Sequence, residues 1–99
     1  MFYVKLFKKK HEVLVAIADK ELINKTFRGN GMKIEVMSSF YEGDLLNEND
    51  MIARLKLATI ANLVGKRCIE IAMKNGIVDK DNIIYIGDVP HAQVFCISL

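Results

Sequence analysis

From Phe2 to Phe7 the chain alternates in steps of two, with Phe2, Val4 and Leu6 on one side and Tyr3, Lys5 and Phe7 on the other. Successive side chains of an extended backbone leave opposite faces, so this period predicts a strand. Lys8-Lys9-Lys10-His11 interrupts it, and Val13, Val15 and Ile17 resume it within Glu12 to Ala18. Two such runs across a short polar connector predict a β-hairpin, although its lysines lack the usual Asn-Gly turn chemistry. Asp19 is placed to cap a short helix through Lys25, with Leu22 and Ile23 facing inward. Arg28-Gly29-Asn30-Gly31 then reads as a loop whose glycines tolerate positive φ. Met32, Ile34 and Val36 alternate as a third strand reaching Met37, and Ser38 to Asn47 reads as an irregular connector holding Phe40-Tyr41 and Gly43.

The longest helical pattern covers Glu48 to Asn75. Asn47 or Asn49 can cap it, Glu48 and Asp50 suit the positive end of the helix dipole, and Gly76 stands where a C′ residue belongs. At 100° per residue, Leu57, Ile60, Ala61, Val64, Cys68, Ile71 and Ala72 share one apolar face. Lys56, Thr59, Lys66, Arg67, Glu70 and Lys74 lie opposite, and Lys66–Glu70 and Glu70–Lys74 are spaced for ion pairs. Some positions strain against this helix. Ile52, Leu55, Leu63 and Met73 fall on the polar side, Asn62 interrupts the apolar run, and Gly65 sits mid-helix at a cost of about 1 kcal/mol relative to Ala. Either loops cover the N-terminal half deeply, or a self-association or partner surface lies near Leu55, Asn62 and Leu63.

After a turn at Val78 to Asn82, Ile83 to Ile86 reads as an interior strand. Gly87-Asp88-Val89-Pro90 breaks the chain, and His91 to Ile97 forms a last strand. Without strict β-α alternation the order predicts an α+β fold: one compact domain over residues 1–99. Its mostly antiparallel sheet of about five strands would pack on one long helix, with one short helix beside it.

Composition narrows the classes. At 52% hydrophobic and 26% charged the chain is an ordinary folded one. A net charge of +2 requires any nucleic-acid contact to come from a local cluster. The N-terminus runs apolar then basic, the reverse of a secretory signal, and Asn62, Lys66 and Arg67 interrupt the best membrane-span candidate. The expectation is therefore a cytoplasmic protein without membrane contact. Cys68 and Cys96 form no CxxC pair, and with two histidines at these spacings they make no zinc site, so neither metal, cofactor nor disulfide is expected. The carboxylates of Val78 to Asn82 lack the EF-hand spacing.

Two regions hold candidate chemistry. Lys8, Lys9 and Lys10, with His11 and Lys5 near them, make a basic hairpin tip; about four phosphate contacts there would give a salt slope near −3 to −4. The same lysines would equally guard an edge strand against pairing. Lys66 and Arg67 add a second cationic group, diluted by Glu70. The segment Gly87 to Gln93 gathers Asp88, His91 and Gln93 at a rigid turn after Tyr85. As an enzyme it would use His91 as base, oriented by Asp88, with Cys96 or water as nucleophile; a hydrogen-bonded structural turn is the plainer reading. Cys68, on the apolar face, reads as core.

The blocks ATIANLVGKR (Ala58 to Arg67) and IYIGDVPHAQ (Ile84 to Gln93) carry a resemblance. So do FYVKLFK at the start, DKEL and KTFR between Asp19 and Arg28, and FYEG (Phe40 to Gly43). Together they resemble the archaeal family catalogued as domain of unknown function four hundred and twenty-four. The resemblance implies a small cytosolic protein with no established activity, and a preference for translation as its setting. It brings no catalytic residues. The expectation is a non-enzymatic accessory of translation binding RNA or the ribosome through Lys8, Lys9, Lys10, Lys66 and Arg67. A homodimeric interaction module using Leu55, Leu63 and Met73 is the alternative, and a small enzyme built on His91 the third. A shared polar site would draw on Asn62, Tyr85, Asp88, His91 and Gln93, with Arg67 alongside.

Overall fold

The opening alternation forms as expected. In the computed structural model, which describes residues 1–95, β1 (Phe2–Lys9) pairs antiparallel with β2 (Glu12–Asp19) from Phe2↔Asp19 to Lys9↔Glu12. Lys10 makes the turn at φ 53°. The next segments depart from expectation. A single 3-10 turn at Lys20–Leu22 replaces the short helix, and Asp19 makes no side-chain cap to it. Arg28 to Gly31 is no loop but the heart of a second hairpin, β3 (Thr26–Gly29) with β4 (Met32–Glu35). Asn30 (φ 55°) and Gly31 (φ 75°) form its two-residue turn, the Asn-Gly chemistry that most favours tight hairpins. The connector after it holds α1 (Ser38–Tyr41) and a short strand, β5 (Asp44–Leu46).

The long helix does not exist. The segment divides into α2 (Glu48–Leu55), β6 (Ile60–Val64) and α3 (Lys66–Lys74). β6 pairs parallel with β2 and antiparallel with β8 (Val89–Phe95), so it is buried in mid-sheet. A strand covered on both faces reads as a near-continuous apolar run, which periodicity alone cannot tell from a buried helix. The residues that resisted the helix mark the break. Gly65, at φ 123°, is the hinge from β6 into α3. Leu55 and Leu63 are fully buried, whereas Leu57, expected inside, is 58% exposed. The outer signals hold: the Asn47 Oδ1 accepts the Asp50 N–H (2.9 Å). At the far end Gly76 N–H bonds Met73 O and Ile77 N–H bonds Ala72 O, a Schellman closure.

The main sheet has six strands in the order β5-β1-β2-β6-β8-β7, with β7 at Ile83–Ile86. Every neighbouring pair but β2–β6 is antiparallel. β7 is an edge strand, not an interior one, and Ile84 and Tyr85 are accordingly exposed. One sheet face buries Val15, Ile17, Ala61 and Leu63 against Met51 and Leu55 of α2 and Cys68, Ile69 and Ala72 of α3. On the other, Ala16, Ala18 and Val64 meet Val36, Tyr41 and partly buried side chains of the β3–β4 hairpin and α1. The fold is thus mixed and strand-rich: eight strands and three α-helices among the described residues. The Val89–Pro90 bond is trans, since the described residues contain no cis peptide. No helix among them is long and apolar enough to cross a membrane. Cys96 and the expected end of the last strand lie outside the described residues.

Candidate nucleic-acid interface

Strand register decides which side chains share a surface. On the face opposite α2 and α3, one row across β1, β2, β6 and β8 holds Phe7, Leu14, Ile60 and Phe95. The next holds Lys5, Ala16, Asn62 and Gln93. The third holds Tyr3, Ala18, Val64 and His91, and Ile84 extends it onto β7. Rows lie about 6.7 Å apart and neighbouring strands about 4.8 Å.

Cover over this face is uneven. Phe40 stacks on Phe7 at 5.5 Å between centroids, and the Lys5 ammonium donates to Ser39 O (2.8 Å) while lying over the Phe7 ring. The β3–β4 hairpin meets the far end, where Gly29 approaches Gly87 so closely that a Cβ at Gly29 would lie 2.2 Å from the Gly87 nitrogen. Between these covers Phe95 is 60% and Ile84 48% exposed, Gln93 is exposed, and Ile60, Asn62 and His91 are half-buried. Lys9, Lys10 and His11, all exposed, stand at the tip beyond the Phe95 row, and exposed Lys8, paired with Val13, leaves the strand on the opposite face. The carboxylate on this stretch of strand face is Glu12, at the tip itself and bonded by the Thr59 hydroxyl (3.0 Å).

The expected polar constellation is therefore partly assembled. Asn62 and Gln93 are direct cross-strand partners, and His91 follows two residues from Gln93 on the same face. The His91 Nδ1–H donates to Leu63 O (2.9 Å), leaving Nε2 as the free ring nitrogen. A backbone carbonyl orients the ring, not Asp88, so the proposed base–orienter pair is not formed. Tyr85 pairs with Pro90 and faces the α3 side, in a groove of about 270 Å³ with Ile69, Met73 and Lys66. Asp88 lies in the β7–β8 turn and lines a separate pocket.

That pocket, about 220 Å³, is lined by Asp19, Leu22, Gly65, Lys66, Asp88 and Pro90 among others. It lies at the N-terminus of α3, where free amides would draw an anion. The protein supplies the anion itself: the buried Asp19 carboxylate accepts the N–H groups of Arg67 (3.0 Å) and Cys68 (2.9 Å). Gly65, the N-cap, has no side chain to do this, and a Cβ there would lie 2.3 Å from the Asp19 Cγ. Arg67 is engaged as well. It pairs with Glu21, donates to Met1 O (3.2 Å) and lies over the Phe2 ring. The Arg67 hydrogen bond holds the Glu21 carboxyl below its usual range.

This separates the two expected cationic groups. Lys8 to Lys10 cap one end of β2, and Lys66 and Arg67 adjoin Asp19 at the other, about 23 Å away over seven residue steps. They do not share a surface. The dimer surface expected at Leu55, Leu63 and Met73 loses its two leucines to the core, and Met73 alone is exposed. Cys68 is core as expected, its thiol pushed well up by burial and by Asp19. Among the described residues no group of three or more His, Cys, Asp and Glu side chains could hold a metal. Sequence reasoning missed Phe95, Ile60 and Leu14 as surface partners of Gln93 and Asn62. Phe95 stands two residues from Gln93, so the period of two in the expected strand already puts it on one face with Gln93 and His91; Ile60 and Leu14 join that face through the register of β6 and β2.

The same architecture occurs in the crystal structure of an uncharacterized conserved protein from Methanopyrus kandleri. The TM-score is 0.82 at 18% identity, over 99% of this chain and 93% of that one; at that identity the likeness is one of fold. A search of curated proteins found no match. The family model described as "Protein of unknown function (DUF424)" matches residues 7–97. The chain belongs to that family, as its sequence blocks led us to expect.

Proposed function

We propose that this protein binds single-stranded RNA on the open part of its sheet face. The reading rests on one observation: an exposed aromatic, Phe95, lies in a row with Ile60 and beside the Asn62–Gln93 pair, flanked by the Lys8–Lys10 tip. An exposed ring on a sheet stacks an unpaired base, neighbouring amides bond its edge, and lysines neutralise the adjoining phosphates. A duplex offers no free base face to such a ring. Lys66 and Arg67 are not part of this interface. The His91 chemistry has no role in it either, since His91 serves here as a fixed polar group rather than as a base.

Fluorescence anisotropy of a labelled RNA decamer at low salt tests the reading. We expect binding of the single strand over the duplex, with a log–log salt slope of about −1.4 for two lysine contacts, rising to about −2 if Lys8 reaches round the edge. Binding should weaken by about tenfold or more in the K8E/K9E/K10E variant. Equal binding by that variant, or none by the wild type, contradicts the proposal. Ribosomal co-sedimentation that is lost in the same variant would extend it to a ribonucleoprotein and to translation. A second reading, a homodimer, is favoured by exposed Ile84 and Tyr85 on edge strand β7; a sedimentation mass of one chain at high concentration would count against it.

A further inference from the structure

We propose that β1 accepts an extended acidic segment of another protein as an added strand, along the edge that β5 leaves open. Main-chain direction identifies that edge. The Val13 N–H donates to the Thr59 hydroxyl (2.9 Å) and Val13 O accepts the Thr59 N–H (2.8 Å), so both groups point from β2 towards β6. Opposed residues of an antiparallel pair exchange both bonds or neither, in alternation. Lys8, opposite Val13, therefore turns its N–H and C=O away from β2, and Leu6, two residues back, does the same. Phe2 and Val4 belong to the same set and face β5, which spans only Phe2 to Val4 of β1. Gly43, lying against Val4 and Lys5, marks where that cover stops. Beyond it, among the described residues, no strand lies outside Leu6 and Lys8. Both are exposed, Leu6 by 38%.

The side chains along the edge choose the partner. A segment in line with β5 would bond the two free N–H and two free C=O groups, and its alternate side chains would fall beside Leu6 and Lys8. An apolar residue suits Leu6 and a carboxylate suits Lys8, with Lys9 and Lys10 just beyond. The acids nearest in the sheet are already engaged. Asp44, where β5 begins, pairs with Arg54 (3.0 Å), and Glu12, across from Lys9, is bonded by the Thr59 hydroxyl (3.0 Å). A second copy is the poorer occupant, because two such edges would bring their lysine runs together. An acidic strand gains where a copy loses. This surface is distinct from the RNA face: Leu6 and Lys8 point to the α2 side of the sheet.

The test is anisotropy of a labelled, end-capped decapeptide of alternating valine and glutamate, titrated with the full chain. Two controls accompany it: an alternating valine–lysine decapeptide, and the acidic peptide N-methylated at every residue, which keeps its charge and loses its donors. We expect the acidic peptide to bind about tenfold or more tighter than either control. Its presence should slow solvent exchange of the Leu6 and Lys8 amides. Leu6→Pro removes an outward N–H that carries no β1–β2 bond. It should weaken the acidic peptide about tenfold while leaving binding of the RNA decamer unchanged. Equal binding of the N-methylated peptide would reduce the attraction to charge alone and overturn the proposal. So would equal binding of the basic peptide, unprotected Leu6 and Lys8 amides, or no binding by the wild type. A dimer mass in sedimentation that Leu6→Pro abolishes would make a second copy the occupant, and overturns it too. The RNA reading is judged separately, by the RNA decamer.

Discussion

Asp19 is the residue on which the junction of sheet and helix turns. Its carboxylate holds two backbone N–H groups of α3 from a strand nearly fifty positions earlier in the chain, and so supplies the cap that Gly65 cannot. Asp19→Ala leaves those donors buried without partners, at a cost of about 2–3 kcal/mol, read as a lower denaturation midpoint with unchanged slope. Gly65→Ala, forced to carry a Cβ against Asp19 at φ 123°, should cost about 3 kcal/mol in the same assay. Burial pushes the Tyr41 hydroxyl up to about 12. A group whose folded pKa is raised contributes stability below its unfolded value near 10, and loses it as pH climbs through 12. Absorbance at 295 nm should therefore show a tyrosine step near pH 12 that Tyr41→Phe removes. For Glu21 the sign reverses: its depressed carboxyl contributes above the unfolded value and stops contributing as pH falls through the folded one. Because the Glu21–Arg67 pair is half exposed, the effect on acid unfolding should stay below about 1 kcal/mol.

At the scale of elements, what the sequence disclosed depended on whether local pattern or long-range pairing decides the structure. β1 and β2 show a period of two, and both helix ends carry their own caps at Asn47 and Gly76, so these were legible. β6 was not, because Ile60 to Val64 is apolar on both sides and its strand character comes from pairing with β2 and β8. Gly65 and Asn62 announced that a continuous helix was wrong without saying what replaced it. The Asn30-Gly31 pair is the hairpin signal in a segment whose glycines also read as a loop. Replacing it with Ala-Ala puts two side chains at positive φ, and should destabilise the protein by about 1–2 kcal/mol in thermal melts, with the β3–β4 amides exchanging fastest. The candidate site was half legible on the same terms. Asn62, His91 and Gln93 could be chosen by residue chemistry, whereas Tyr85 and Asp88 face elsewhere; Phe95 follows from the period of two in β8, and register adds only its place beside Ile60 and Asn62.

Over the whole molecule, charge and cover divide the surface. α2 and α3 cover the middle of one sheet face, the β3–β4 hairpin and α1 close part of the other, and the remainder opens beside the lysine tip. At the opposite end Arg67 is paired with Glu21 and lies near Asp19, so the lysine tip is the more openly basic end of a chain whose net charge is +2. If RNA lies on this open face as proposed, amide chemical-shift mapping during titration with a single-stranded RNA decamer will locate it there. We predict shifts at Lys8 to His11, Ile60, Asn62, Gln93 and Phe95, with the amides of α3 unmoved. Shifts confined to Lys66, Arg67 and the α3 N-terminus, or none at saturating RNA, would contradict it.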